Sequence, residues 1–402
     1  TPMLAGTVFA PASRAYDQVT CAQADQDYAA AQHALFVDAD ATGAGTGASW
    51  ADAFPSLQAA LNAATPGEEI WVAEGVYRPT AGTSRTSRFY LRENVDLYGG
   101  FAGHETARSQ RDWRVHPAVL SGDIGAPGDA SDNSYTILEG HDMRLDGFVI
   151  TGARGFCFSD RCGGGMMNWG RSPVVANCVF VDNRAIYGGA MYNRAGAAPL
   201  VVNCVFLDNR GNTYKGYGGA VYNYDAAPVF ANCVFAGNHA YDEGGAMRNR
   251  AASSPSLVNC TFAGNTSRRG GALLSQGTAF IANCILWGNA ASQSGDQIQN
   301  TSADAAPVVR HCLIEGGLNG PGCGGAGSVD GGGNLAGDPF FRDAADVAGV
   351  DGVVGTADDG LTLLADSLCL DAGLNSAVRE DMPVGLAGRP RVLHGTDRKS
   401  VV

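Results

Sequence analysis

The sequence predicts an all-β protein: a right-handed parallel β-helix of about ten coils, with three short strands per coil and a short N-terminal capping helix. The main observation is a repeat of 24 to 29 residues, because an Asn-Cys or His-Cys pair recurs at that spacing. The pairs begin at Asn177, Asn203, Asn232, Asn259, Asn283 and His311. A sustained period of this length is typical of solenoids, in which successive copies stack.

The content of each repeat favours a β-helix over other repeat folds. The unit is too short for a four-stranded propeller blade, which needs about 40 residues, and it lacks a 3.6-residue helical period. Each copy instead holds three extended segments between glycine or asparagine corners. The first segment begins with Gly-Gly-Ala, as at Gly188, Gly218, Gly244 and Gly270. Stacked coils of this kind rise by about 4.8 Å, like neighbouring strands in any sheet.

Strand alternation assigns the two faces of each strand. We expect an inward cysteine ladder of Cys178, Cys204, Cys233, Cys260 and Cys284, with a phenylalanine two residues after each of the first four. Val205 and Thr261, which lie between these positions, should face outward. The repeat also predicts a column of corner asparagines, whose amides hydrogen-bond one coil to the next: Asn183, Asn209, Asn238 and Asn265.

The chain divides into four parts. Residues 1–33 are interpreted as a signal-peptide remnant or a linker, and residues 34–325 as the β-helix. Within the latter, Leu57, Ala60, Leu61 and Ala64 have helical spacing and predict the capping helix. Residues 326–396 form a loop-rich segment with the last irregular strands, and residues 397–402 look like non-native read-through.

Composition limits the functional classes. Glycine supplies 56 of 402 residues and charged residues only 17%, which suits an exported all-β protein. The formal net charge of −13 argues against nucleic acid as a partner, because phosphate binding needs a basic face. No run of 18 apolar residues occurs, so no transmembrane segment is predicted. We expect a monomer.

Most of the eleven cysteines fit the inward ladder, where each behaves as a small apolar group. Cys157 and Cys162 differ, because they lie in an insertion before the first Gly-Gly strand and could close a disulfide-bonded loop. No cysteine or histidine pattern has the spacing of a zinc site.

The repeats resemble those of a known bacterial group. Phe180-x-x-Asn183 followed by Gly188-Gly189-Ala190-Met191 is similar to repeats of the chlamydial polymorphic outer-membrane proteins. More broadly, residues 34–325 resemble β-helix repeat proteins with a pectin-lyase-like fold. The segment 366–373, followed by 388–391, resembles the closing motif of choice-of-anchor Q domains. This resemblance implies an exported protein with a surface anchor; it is specific for fold and unspecific for chemistry.

One outer face is the candidate ligand-binding surface. The residues predicted to lie on or beside the outer Gly-Gly face are Trp169, Tyr192, Tyr222, Tyr224 and Arg248. Aromatic rings one coil apart would form a flat ladder suited to stacking sugar rings or a partner protein. The alternative is an ordinary sheet surface, where tyrosine is favoured in any case.

An enzyme is the second hypothesis, since the pectin-lyase-like fold commonly serves polysaccharide lyases and glycoside hydrolases. Asp182 and Asp208 occupy equivalent positions on successive coils, with Arg184 and Arg210 beside them. They are the only candidates for catalytic carboxylates, and weak ones, because the next three coils carry glycine in that column. Solvated corner acids are the alternative, and no residue is assigned as catalytic.

The one candidate metal loop lies near the C-terminus, between positions 346 and 360. Its carboxylates are Asp346, Asp351, Asp358 and Asp359, and glycines between them would permit a tight wrap around calcium. A solvated acidic turn is the alternative. The sequence therefore favours a secreted or cell-surface β-helix protein that acts in adhesion or in binding a polysaccharide or a surface protein, with calcium as a candidate cofactor.

Overall fold

The structure, a computed structural model, describes residues 33–155, 163–212, 215–304, 306–370 and 372–374, together with the backbone of two short strands near the C-terminus. Three parallel sheets run the length of the molecule, and from Glu69 onward the chain visits sheets 1, 2 and 3 in turn on every coil. The all-β right-handed parallel β-helix predicted from the sequence is confirmed, with about nine coils and almost no helix.

Sheet 1 has eleven strands. They are Ala34–Val37, Glu69–Ala73, Asp96–Phe101, Arg144–Asp146, Val174–Ala176, Leu200–Val202, Val229–Ala231, Ser256–Val258, Phe280–Ala282, Val308–Arg310 and Val329–Asp330. Sheet 2 has nine strands. They are Gly75–Tyr77, Ala118–Ser121, Phe148–Thr151, Val179–Val181, Val205–Leu207, Val234–Ala236, Thr261–Ala263, Ile285–Trp287 and Leu313–Ile314.

Sheet 3 also has nine strands. They are Phe89–Tyr90, Leu138–Glu139, Met166–Trp169, Met191–Arg194, Val221–Tyr224, Met247–Asn249, Leu273–Ser275, Ile298–Asn300 and Cys323–Gly325. Short strands pair at the corner between sheets 2 and 3, where Arg184–Ala185 lies beside Arg210–Gly211 and Thr266–Arg269 beside Ala290–Ser294. Val392–Leu393 and Thr396–Asp397 form an antiparallel pair.

The helix Leu57–Ala63 packs against the first strands of the β-helix. Leu57, Ala60 and Leu61 are its buried residues, as their helical spacing predicts. A 3₁₀ turn, Arg108–Gln110, is the other helical element of the described residues. No helix in the described ranges is both long and apolar enough to cross a membrane.

Identical side chains stack inside the coil, because the strands pair in parallel register. Phe180 pairs with Phe206, Phe206 with Phe235, and Phe235 with Phe262. Their ring centroids lie 5.1, 4.7 and 4.6 Å apart with nearly parallel planes. The cysteine ladder lies beside them as a column of buried side chains: Cys178, Cys204, Cys233, Cys260, Cys284 and Cys312. Burial raises the pKa of the Cys204 thiol well above its ordinary value.

The corner asparagines form a hydrogen-bonded column. The Nδ2 atoms of Asn183, Asn209, Asn238 and Asn265 each donate to the Oδ1 of the next asparagine, at 2.8 to 3.1 Å, and the column ends at Asn289. The same Nδ2 atoms also donate to main-chain carbonyls of the preceding coil. Every member is buried, so the column satisfies polar groups that would otherwise be costly inside the protein.

Positive φ angles recur at two corner positions of each coil. The asparagine before each ladder cysteine is left-handed, with φ between 51° and 56°, and so is His311 at 49°. The residue before each column asparagine is left-handed as well: Asp182, Asp208, Gly237, Gly264 and Gly288. Asparagine, aspartate and glycine tolerate this conformation best, which explains both parts of the repeat.

The Gly-Gly motif has a steric cause. Its first glycine is left-handed, as at Gly218 with φ of 64°. A Cβ on the second, Gly219, would lie 2.7 Å from the backbone of His239 on the next coil. The third residue is a buried alanine, so the motif marks where the chain of one coil lies tightly against the next.

The outer face of sheet 2 is covered, which corrects one expectation. Val205 and Thr261 point away from the core as the alternation predicts, but they are only 1% and 0% exposed. Apolar residues of the segment 341–361 pack over this face, among them Val354 and Leu361. Farther along, Cys369 packs against Ile285 and Leu313. The described part of the C-terminal segment therefore lies against the β-helix.

Candidate functional site

The candidate site is a row of side chains on the outside of sheet 3, which we call the aromatic–arginine ladder. It consists of Trp169, Arg194, Tyr224 and Arg250, one residue on each of four successive coils. Trp169 pairs with Arg194, and Arg194 pairs with Tyr224. Arg250 follows on the next coil, where its N–H donates to the carbonyl of Asn223 at 2.9 Å.

The members of this ladder stack on one another. The guanidinium carbon of Arg194 lies 4.5 Å from the ring centroid of Trp169 and 5.1 Å from that of Tyr224. The guanidinium carbon of Arg250 also lies over the Tyr224 ring, 5.1 Å from its centroid. Such separations are within the range of cation–π attraction. Trp169 is 36% exposed, and Arg250 is exposed too, so solvent and ligands can reach the row.

Three of the predicted ligand-binding residues are not on an accessible surface. Tyr192, Tyr222 and Arg248 are 2%, 3% and 5% exposed. Tyr187 from a neighbouring corner covers the two tyrosines: its ring centroid lies 5.8 Å from that of Tyr192 and 5.1 Å from that of Tyr222. The alternation correctly gives the outward direction of these residues but carries no information about a corner that folds over them.

Arg248 has a structural partner. Its Nε donates to Glu243 at 2.6 Å, and the guanidinium of Arg269 bonds the other oxygen of the same carboxylate. Arg248 and Glu243 are both buried. Because both charges are compensated in the folded chain, Arg248 is assigned to this ion cluster and not to a ligand.

The buried side chains of Tyr192 and Tyr222 contact the two arginines of the ladder. The Tyr192 hydroxyl lies 3.4 Å from Arg194. A hydrogen bond with Tyr222 raises the pKa of Arg250, and burial raises the pKa of Tyr222 itself. Tyr192 and Tyr222 are therefore positioning residues. Strand alternation could have identified Arg194 and Arg250 from the sequence. Each lies two positions after a residue that was predicted to face outward, Tyr192 and Arg248 respectively.

Asp182 and Asp208 are explained by backbone geometry. Both are left-handed, with φ of 48° and 53°, in a column that continues as glycine. The guanidinium of Arg154 donates to the Asp182 carboxylate at 2.8 Å and to its carbonyl at 2.6 Å. Burial raises the pKa of Asp208, while the nearby Arg210 opposes that shift. The left-handed backbone explains why aspartate is tolerated at both corners, and Arg154 gives Asp182 an ion-pair partner.

The predicted calcium loop does not gather its four carboxylates. Asp359 accepts hydrogen bonds from the N–H groups of Gly355 and Thr356, at 2.7 and 3.1 Å. Asp358 accepts one from the Asp351 N–H at 3.1 Å. Across the described part of the chain, no three histidine, cysteine, aspartate or glutamate side chains come together where they could hold a metal ion. Cys157 and Cys162 lie outside the described residues.

Sequence reasoning missed a second charged cluster, on the outer face of sheet 1. Asp146 bonds Arg111 at 2.7 Å, the Nε of Arg144 at 2.9 Å and the amide of Asn177 at 2.8 Å. Burial opposes the ionisation of Asp146, but these partners outweigh it and lower its pKa to about 2. The pKa of the neighbouring Asp96 is raised, mainly by burial.

This cluster is built as a structural ion pair. Asp146 is only 2% exposed, and the segment that carries Arg108 and Arg111 lies over it, with both guanidiniums against the ring of Tyr98 at 4.6 and 5.3 Å. The alternation in Arg144-Leu145-Asp146 signals two outward charges. Only the fold brings Arg111 to them, from 35 residues away.

Comparison with known proteins identifies the fold. No family model matches the chain, and a search of curated proteins finds no match. A similar solved structure is pectate lyase Pel9A, with a TM-score of 0.52 and 13% identity over 95% of this chain and 99% of that one. Another is a rhamnogalacturonan lyase, with a TM-score of 0.49 and 12% identity over 83% and 97% of the two chains. At this identity, the first likeness establishes the pectate-lyase-like β-helix fold.

Proposed function

We propose that this protein is a secreted or surface-exposed β-helix protein that binds an extended glycan along the aromatic–arginine ladder. The observation that carries the proposal is the position of Arg194 between Trp169 and Tyr224, at 4.5 and 5.1 Å from their ring centroids. Three stacked planar groups on successive coils make a rigid strip on the outside of sheet 3.

Such a strip suits a sugar chain, whose apolar parts contact the accessible parts of Trp169 and Tyr224 while arginine donates hydrogen bonds to the sugar oxygens. The strip follows the axis of the β-helix, because its members lie on successive coils. A long polymer lying along several coils gains contacts on each coil, whereas a small molecule would meet only one or two of them. A polysaccharide is therefore the ligand that the strip fits best.

Preorganisation supports the proposal. Long arginine side chains normally lose rotamer freedom when they bind a ligand. Here Arg194 already lies against two rings, and Arg250 against Tyr224 and Tyr222. Folding has therefore already restricted these arginine side chains, so they lose less conformational entropy when a ligand binds. This favours tighter binding of a ligand to a shallow surface.

Export and surface attachment belong to the same proposal. They are supported by the glycine-rich, acidic composition and by the resemblance of segment 366–373 to the closing motif of choice-of-anchor Q domains. A surface-anchored solenoid would present the ladder to polysaccharides outside the cell, as in adhesion. Protease shaving of intact cells that make the protein would release ladder peptides if this is correct, and would leave them intact if the protein is internal.

A glycan array tests the binding. We expect the wild-type protein to retain a set of polysaccharides and the double variant Trp169→Ala/Tyr224→Ala to lose at least tenfold in affinity, because two stacking platforms are removed. The matched control is Tyr90→Ala/Tyr241→Ala, which removes two other exposed tyrosines, 51% and 50% accessible. Equal binding by the ladder variant and the control would contradict the proposal.

A further inference from the structure

We infer that Tyr187 and Tyr217 are a site of oxidative cross-linking, at which a peroxidase and hydrogen peroxide join the two phenol rings by a carbon–carbon bond. Both tyrosines lie at the corner between sheets 2 and 3, on successive coils, and their backbones form a parallel bridge. The bond ties two coils together at the corner that covers Tyr192 and Tyr222. The inference does not depend on glycan binding, because neither residue belongs to the aromatic–arginine ladder.

The backbone holds the two rings in register. The Tyr217 N–H donates to the Ile186 carbonyl at 2.9 Å, and the Gly188 N–H donates to the Tyr217 carbonyl at 3.0 Å. The ring centroids of Tyr187 and Tyr217 lie 6.0 Å apart, and the ring planes differ by only 10°. Because in-register neighbours on parallel strands extend their side chains in the same direction, equivalent ring carbons face each other across this gap.

The other contacts of this tyrosine cluster suit the reaction less well. Their ring planes are tilted against each other by 32° to 51°. Tyr192 and Tyr222, which pair in register on the neighbouring strands, are both buried, so an oxidant in solution does not reach them. Tyr187 and Tyr217 are only half-buried. They therefore combine ring contact with access from the solvent.

The coupling of two phenols is balanced by one molecule of hydrogen peroxide. Each hydroxyl group loses one hydrogen atom, and the peroxide takes up both and becomes two molecules of water. The two phenoxyl radicals then form a bond between the carbons ortho to their oxygens. The hydrogen on each of these carbons moves to the oxygen, which restores both phenols. Burial raises the pKa of Tyr217, so its hydroxyl group carries the required hydrogen at neutral pH.

Peptide mapping after oxidation tests the inference. Dilute protein is treated with a haem peroxidase and hydrogen peroxide, and the monomer is isolated and digested with trypsin. Trypsin separates residues 185–194, which include Tyr187, from residues 216–248, which include Tyr217. We expect these two peptides to be joined, with a mass lower than their sum by two hydrogen atoms.

Conservative variants assign the bond to its two rings. Tyr217→Phe keeps the ring but removes the hydroxyl group, so the yield of joined peptides should fall about tenfold, since no second phenol is held against Tyr187. Tyr187→Phe should have the same effect. Tyr241→Phe is the matched control, because Tyr241 is an exposed tyrosine of the same tryptic peptide as Tyr217, and its yield should equal that of the wild type.

Thermal unfolding of the three variants checks that each is folded, and we expect temperatures close to that of the wild type, since only a hydroxyl group is removed. An oxidised monomer without joined peptides would overturn the inference. So would a yield that is unchanged in Tyr217→Phe, because the bond would then belong to another pair of rings.

Discussion

Single residues in this solenoid take their roles from the coil above and the coil below. Asn209 donates to Phe180 on the preceding coil and to Asn238 on the next, at 2.8 and 3.1 Å. Asp182 and Asp208 stand where glycine stands on later coils, because the backbone is left-handed there. The role of a corner asparagine or aspartate can therefore be assigned only when the equivalent residues on the neighbouring coils are known.

The buried carboxylate Asp146 gives a prediction at this scale. Its pKa is lowered from 3.8 to about 2, so it stabilises the folded state at pH values above 4, and that contribution is lost as the pH falls toward 2. Asp146→Asn leaves Arg111 and Arg144 without their anion and should lower the free energy of unfolding by about 3 kcal/mol at pH 7.

Chemical denaturation at a series of pH values measures this effect. The difference between wild type and Asp146→Asn should shrink steadily between pH 4 and pH 2. Asp40→Asn, at an exposed acid, serves as the control and should change the stability by less than about 0.5 kcal/mol. A difference that stays constant down to pH 2 would mean that the ion pair does not determine the pKa of Asp146.

At the scale of elements, the repeat predicted most of what the structure contains. The inward cysteine and phenylalanine ladders and the asparagine column follow from the period together with strand alternation, and the helix Leu57–Ala63 follows from its helical spacing. Strand alternation states which way a side chain points. It does not indicate whether other residues pack over that side chain. Only the structure shows that Tyr192 and Val205 are covered by other parts of the chain.

The cover on sheet 2 gives a prediction for an element. Leu361 is 1% exposed and packs in the cluster that includes Val205 and Val234. Leu361→Ala should lower the free energy of unfolding by about 3 kcal/mol, because the lost contacts leave a cavity between the segment and the sheet. Leu364→Ala is the matched control, since Leu364 is 44% exposed.

Urea unfolding and limited proteolysis together measure that contribution. In Leu361→Ala, cleavage within the segment 341–361 should become faster than in the control, because local opening becomes less costly. Equal stability and equal cleavage rates in the two variants would show that the segment does not hold the outer face of sheet 2.

On the scale of the whole molecule, the outer faces of the β-helix differ in their accessibility to solvent. The outer face of sheet 2 is covered by the segment 341–361, whereas sheet 3 carries the accessible ladder. The sequence predicted an aromatic outer face and identified Trp169 and Tyr224. It could not rank these two above Tyr192 and Tyr222, because all four point outward and only the folded corner at Tyr187 separates exposed from buried rings.

Hydroxyl-radical footprinting with and without a saturating polysaccharide selected on the glycan array tests the central claim most directly. The account predicts that oxidation of Trp169 and Tyr224 falls severalfold in the complex, while Tyr90 and Tyr241, at 51% and 50% exposure, react at unchanged rates. Protection of Tyr90 or Tyr241 with Trp169 and Tyr224 unaffected would place the ligand away from the ladder and contradict the account.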